Sequence, residues 1–252
     1  MSQRDVSECH SPEAIRERLS DQPSQSYLKD FIYGAIDGAV TTFAVVASVS
    51  ATGLSSGVII ILGFANLLAD GFSMAAGNFL GTRAELQARQ RARREEELEI
   101  ESHPEGEREE IRQIYAAKGF EGEVLEQVVE VITADKKRWV DTMITEEHGL
   151  PLVQPSPWKA AGMTYLAFLV VGFIPLITFV LEYKFPGTMG QPFLIGSILT
   201  GIAFFIVGAL KSRFVEKSWL WEGFETLSVG TLAAGIAYVI GLLLRPFVDV
   251  AG

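Results

Sequence analysis

Five long apolar runs constrain this chain more than any other feature. Residues 160–181, 185–210 and 226–244 contain no charged side chain, and residues 31–53 and 57–80 contain one carboxylate each, Asp37 and Asp70. A helix rises about 1.5 Å per residue, so each run can cross a hydrocarbon layer of roughly 30 Å. An overall hydrophobic share of 48% would also suit a soluble core. Clustering into five such windows decides against that. The expected fold is an all-α integral membrane protein with five transmembrane helices.

The first 30 residues are polar and lack the apolar core of a cleavable signal peptide, so residues 31–53 are read as a retained first span. Cys9 is the only cysteine, which excludes an intrachain disulfide. Basic residues are distributed unevenly: four lie in residues 1–30, twelve in 81–159 and three in 211–217. The opposite side has only Lys184 and Arg245. The positive-inside rule then puts the N-terminus and residues 81–159 in the cytosol, with the short C-terminus outside.

Residues 1–26 read as a polar tail and 27–80 as spans 1 and 2, joined by a small-residue turn at 51–56. Strong helix formers continue past Leu80 to about Glu101, so span 2 is expected to project from the membrane as one long helix. Pro104 and Gly106 interrupt it. A second helix is expected over 107–117, closed by Lys118 and Gly119, and a third over 121–148 with a kink at Thr133. Residues 81–156 thus make a helical cytosolic domain inserted between spans 2 and 3. Residues 157–246 carry spans 3 to 5, and 247–252 form a C-terminal tail.

Two sets of residues carry chemistry. Asp37 and Asp70 lie inside apolar spans, where an ionised carboxylate facing lipid costs several kcal/mol and therefore faces a cavity or a partner. Tyr33, Asp37, Thr41 and Ser48 fall on one helical face, and Asn66, Asp70, Ser73 and Met74 form a similar stripe on span 2. Two polar stripes of this kind can line a cation path; the plainer alternative is that each aspartate anchors helix packing. The second set is a run of nine glutamates within residues 95–110. Most belong to a solvated charged face. Glu96 and Glu99 are three apart on one helix, and Glu107 and Glu110 three apart on the next, so each pair shares a face. A turn at Pro104–Gly106 can fold the faces together. Met143 and Glu147, four apart on the third helix, can add sulfur and oxygen. Carboxylates alone suit Mg²⁺, Ca²⁺ or Mn²⁺, while sulfur favours later transition metals.

The segment Asp30-Phe31-Ile32-Tyr33-Gly34-Ala35-Ile36-Asp37-Gly38, followed by Thr41-Thr42-Phe43-Ala44-Val45-Val46, resembles the first-span signature of the vacuolar iron transporter family. Asn66-Leu67-Leu68-Ala69-Asp70-Gly71-Phe72-Ser73-Met74 resembles its second-span signature. The likeness runs over about residues 28–246. It implies a five-span protomer in a homodimer, a path between the two first spans, and export of Fe²⁺, with Mn²⁺, from the cytosol in exchange for protons. It implies path residues at Asp37 and Met74, with Asn66 and Asp70 on the same stripe, and metal ligands at Glu96, Glu99, Glu107, Glu110, Met143 and Glu147. The implied membrane is the inner membrane of a bacterium or the vacuolar membrane of a eukaryote, with lipid around the spans. No cofactor beyond the carried ion and no nucleic-acid partner is expected. This sequence departs from the pattern at Ile144, where relatives often have a second methionine, and at Asn66, where some have a carboxylate. His103 and His148 lie near the cluster and can serve as ligands, though a solvated histidine is the plainer expectation for each.

Two other classes compete. A membrane-anchored di-iron oxidase or storage protein would need Glu-x-x-His on two helices, and none of His10, His103 and His148 has a glutamate three residues before it. A metal sensor or scaffold would leave the two membrane aspartates without a role. A transporter rather than an enzyme is the expected class.

Overall fold

A computed structural model describes residues 11–20, 26–215 and 217–249; Cys9 and His10 fall outside these. Ten helices and no strand occur among the described residues. A short helix α1 (Pro12–Ser20) lies within the stretch read as a polar tail. The helix α2 (Leu28–Thr52) ends at Gly53, whose φ of 80° is a left-handed C-cap, and Ser55 begins the next helix. The turn expected at 51–56 is therefore built on one glycine that can adopt positive φ.

The helix α3 (Ser56–Ser102) is continuous over 47 residues. At about 1.5 Å per residue it is roughly 70 Å long, more than twice a hydrocarbon layer. Its second half is rich in Arg, Glu, Ala and Leu and extends beyond the apolar window as expected. Three shorter helices follow: α4 (Pro104–Ala117), α5 (Gly122–Thr133) and α6 (Lys136–Glu146). The single kinked helix expected over 121–148 is instead two helices. Asp135 separates them, its side chain capping α6 by accepting from Arg138 N–H at 2.7 Å. Ile100, Ile111, Val129, Trp139, Val140, Met143 and Ile144 form a separate apolar core for this inserted unit.

The third apolar run is bent. Helices α7 (Pro157–Gly172) and α8 (Ile174–Lys184) meet at Phe173 with an angle of 49°. Pro175 supplies the cause: it has no N–H for the carbonyl of Val171, and its ring crowds that carbonyl. The fourth run begins later than expected. Residues 185–191 are not helical, Gly187 and Gly190 having positive φ, and Glu182 accepts from the N–H groups of Gly187 and Met189 at 2.8 Å each. Helix α9 (Pro192–Lys211) follows, then α10 (Trp219–Asp249). The last helix runs through residues 247–249, assigned from composition to the tail. Among the described residues four helices are long and apolar enough to cross a membrane, and up to five candidate spans result when α7 and α8 count as one.

Helix α2 is the centre of the membrane bundle, packing on α7 and α10 and more lightly on α3 and α9. Ile32, Ala35, Ala39, Phe43 and Ala47 line its buried face. Contact with α7 is unusually close because α2 contributes Gly34 and Gly38 there. A Cβ on Gly38 would stand 2.5 Å from the carbonyl oxygen of Phe168, and one on Gly34 would stand 2.3 Å from that of Thr164. Small residues bring helix backbones together in lipid, where packing rather than water exclusion drives association. Asn78 of α3 ties the same end, donating to Asp30 Oδ1 at 2.8 Å and Thr164 Oγ1 at 2.7 Å. Gly38→Ala is expected to destabilise the bundle by about 1–3 kcal/mol through overpacking, lowering the thermal midpoint of detergent-purified protein. Gly162→Ala, where a Cβ meets nothing within 4 Å, should leave that midpoint unchanged.

Candidate metal centre and membrane carboxylates

The break between α3 and α4 creates the first site. His103 leaves helical geometry (φ −135°, ψ 52°), and Pro104 restarts the chain as the first turn of α4. This hairpin brings Glu96 and Glu99 of α3 against Glu107 of α4, with one carboxylate oxygen of each within 4.8 Å of the others. From the end of α6, Glu147 and His148 approach Glu96 within the same limit. Glu110, one turn beyond Glu107, is close enough to interact electrostatically with Glu99, Glu107 and Glu147.

Arginine and lysine sort the glutamates into two groups. Glu95 pairs with Arg91 at 2.8 Å, Glu97 with Arg93 at 3.1 Å, Glu109 and Glu126 with Arg112, Glu101 with Lys136, and Glu146 with Lys118. None of Glu96, Glu99, Glu107, Glu110 and Glu147 has a Lys or Arg partner among the described residues. The two deepest are costly: Glu96 is 1% exposed and Glu107 5%, and the Oε2 atom of each is buried without a hydrogen-bond partner. A buried carboxylate without a counter-charge is a large unfavourable term that a bound cation would remove.

Burial and mutual repulsion shift these groups together. Glu107 is pushed up to about 7, first by burial and then by Glu110, Glu96, Glu99 and Glu147. Burial also raises Glu96, against the hydrogen bond from His148, and raises Glu110, helped by Glu147 and Glu99. His148 is raised chiefly by its contact with Glu96. Each shifted group holds its proton more tightly folded than unfolded, so the fold without metal is favoured by acid and loses stability as pH rises through the folded pKa values. Between pH 5 and 7.5 the thermal midpoint of the apo protein should therefore fall, most of all across Glu107's window of about 4.5 to 7. Metal requires deprotonated ligands, so the rise in midpoint produced by added Mn²⁺ should be largest at pH 7.5. Calorimetry with and without Mn²⁺ checks both, and Glu107→Gln should flatten the apo dependence.

Met143 is placed differently from the glutamates. It is fully buried in the core of the inserted unit beside Val140 and Ile144, and its backbone carbonyl accepts from Glu147 N–H at 2.9 Å. Ile144 is also fully buried. His148 is exposed, and its Nε2 lies 2.8 Å from Glu96 Oε1. His103 is exposed too, its Nδ1 3.0 Å from Ser102 Oγ. The sequence signal for His148 was its place directly after Glu147, at the helix end that also carries a suspected ligand.

The second site lies in the membrane bundle. Asp37 and Asp70 are both half-buried and interact electrostatically across α2 and α3. Neither carboxylate has a hydrogen-bond or ion-pair partner among the described residues. The polar stripe of α2 is on the side away from its packed face: Tyr33 is exposed, and Asp37, Val40, Thr41, Ala44 and Ser48 are only partly covered. Thr41 and Ser48 return their hydroxyls to the backbone, donating to the carbonyls of Asp37 at 2.9 Å and Val45 at 3.0 Å. On α3, Asn66, Asp70 and Met74 are partly buried at successive turns, and the Asn66 amide nitrogen is buried without a partner. Met74 packs at the edge of the core made by Val46, Leu67 and Phe168.

A model of the VIT family matches residues 28–242, which covers the bundle, both aspartates and the inserted helices. The chain belongs to the VIT family. Similar VIT-family proteins include a vacuolar iron transporter of Toxoplasma gondii, 31% identical over 248 residues, covering 94% of this chain and 82% of the relative. A vacuolar iron transporter of Plasmodium berghei is 29% identical over 88% of this chain and 83% of its own length. Vacuolar iron transporter 1 of Arabidopsis thaliana is 29% identical over 86% of each chain. The recognised family and the apolar helices make this VIT-family chain an integral membrane protein.

Proposed function

We propose that this protein carries Fe²⁺, and Mn²⁺, out of the cytosol in exchange for protons. The observation that carries the reading is the pair of carboxylates Asp37 and Asp70, without hydrogen-bond or ion-pair partners among the described residues and interacting electrostatically from two membrane helices. Such a pair is unfavourable in lipid unless water, protons or a cation reach it. Desolvated carboxylates hold protons more readily, so metal and protons compete for the same oxygens. Asn66 and Met74 extend the path along α3, offering an amide and a thioether that suit a partly dehydrated transition-metal ion.

Residues 81–156 form the cytosolic collecting domain in this reading, with Glu96, Glu99, Glu107, Glu110 and Glu147 as oxygen ligands and Met143 as a deeper sulfur. Eleven of the chain's 21 Lys and Arg residues lie in this segment, which supports a cytosolic placement. The uncovered polar stripe of α2 supports a homodimer in which the two stripes face each other and enclose the path. Apolar side chains such as Ile61, Leu68, Phe72, Leu232, Ile236 and Leu243 remain exposed to meet lipid. Similarity to proteins named vacuolar iron transporters supports iron as the cargo.

Liposome flux tests the whole reading. Purified protein in vesicles should accelerate entry of Fe²⁺ and Mn²⁺, and entry should alkalinise the lumen. Metal flux that neither moves protons nor responds to an imposed pH gradient would make it a uniporter. No flux of any divalent ion would leave only a metal-binding membrane protein.

A further inference from the structure

We propose that His148 is a nitrogen ligand of the carboxylate centre and biases it toward Fe²⁺, Co²⁺ and Zn²⁺ over Mn²⁺, Mg²⁺ and Ca²⁺. The inference rests on the reading of the glutamate cluster as a metal site and extends it to selectivity. Two overlapping donor groups occur: Glu96, Glu99 and Glu107 supply oxygen only, whereas Glu96, Glu147 and His148 supply two oxygens and an imidazole nitrogen. Glu96 belongs to both. Its Oε1 faces His148 Nε2 at 2.8 Å, and its Oε2 is buried with no hydrogen-bond partner, so one oxygen remains unused beside the one that meets His148. Glu107 Oε2 is likewise buried and unpartnered on the all-oxygen side.

The geometry suits ligation. Metal–nitrogen and metal–oxygen bonds of about 2.0–2.2 Å at angles of roughly 90–110° separate two neighbouring ligand atoms by about 2.9–3.5 Å. The contact of 2.8 Å between His148 and Glu96 is already close to that spacing. The backbone also holds the residue in place, because His148 N–H donates to the Met143 carbonyl at 3.3 Å directly after the C-cap of α6. Its side chain keeps 31% exposure, so the ring can turn toward an ion without repacking the core. Imidazole is a softer donor than carboxylate and strengthens binding of later first-row metals more than of Mn²⁺ or the alkaline earths. In this chain, where Ile144 contributes no donor atom, that nitrogen adds a discrimination that the carboxylate donors lack.

The test uses the full-length protein in detergent, stripped of metal and titrated with Co²⁺ and Mn²⁺ by calorimetry, with the visible spectrum of bound Co²⁺ as a second readout. His148→Gln retains a polar contact with Glu96, and His148→Leu removes it. Both should weaken Co²⁺ binding about tenfold or more and shift its absorption bands, while Mn²⁺ affinity changes several times less. His103→Gln should match wild type. Equal losses for Co²⁺ and Mn²⁺ would make His148 only a positioning partner of Glu96, and unchanged Co²⁺ binding and spectrum would make it a bystander; either overturns the inference while leaving the carboxylate site standing. A wild-type protein that binds neither ion would remove the site and the inference together.

Discussion

Asp37→Asn should reduce metal flux in proteoliposomes to the level of protein-free vesicles while the chain remains folded. The carboxylate has no hydrogen-bond or ion-pair partner among the described residues, so no salt bridge or cap seen there is lost on substitution. Its nearest electrostatic neighbour is another carboxylate, Asp70, and replacing one of two like charges removes repulsion. Thermal midpoint and elution volume should therefore match or exceed wild type. The amide keeps the shape but supplies neither the negative charge for a divalent ion nor an exchangeable proton site. A folded Asp37→Asn variant that transports at the wild-type rate would end the case for this aspartate as a path residue.

Replacing Glu96, Glu99, Glu107 and Glu110 together with Gln should give a different phenotype. All four lie in the inserted unit, outside the apolar windows. From Glu96 back to Asp70 along α3 is about 39 Å at the helical rise. On the proposed reading, metal held at the cluster has yet to enter the membrane, and the cluster would raise local cation concentration and capture ions, effects that salt weakens. The quadruple variant should bind fewer ions and require roughly tenfold more metal for half-maximal flux, yet retain flux at saturating metal. Its stability without metal should rise, because two buried, repelling carboxylates become neutral. If flux at saturation were as low as for Asp37→Asn, capture at the cluster would be an obligatory step. If ion stoichiometry were unchanged, these glutamates would be an ordinary charged surface.

The helices that cross the bundle were legible because hydrocarbon imposes a length and excludes charge, leaving long uncharged windows. The long α3 was legible for the complementary reason, a change from apolar residues to strong polar helix formers without a breaker until Pro104. Breaks governed by single residues were harder to see. Pro175 sits within an uninterrupted apolar run and divides it, and residues 185–191 contribute hydrophobicity to a window without joining its helix. Three-residue spacing puts Glu96 and Glu99 on one helix face, and the break at His103 and Pro104 places a Glu107 oxygen within 4.8 Å of theirs. Spacing could not reveal which glutamates have arginine partners, since Arg112 reaches Glu126 across two helices and Arg93 reaches Asp141 at 2.6 Å across another gap. The contact of His148 with Glu96 was not legible for the same reason: the two are 52 residues apart in the chain.

The unbroken length of α3 makes the chain a lever. A rod pivoting near Asp70 with an arm of about 39 Å sweeps Glu96 through roughly 3 Å for each 5° of tilt. Within each of the two donor groups that share Glu96 the ligand atoms lie within 4.8 Å of one another, so a displacement of that size would be enough to assemble or scatter a coordination sphere held there. The leverage also runs in reverse. An ion that clamps α3 to α4 and to the end of α6 restrains the angle at which the same rod enters the bilayer.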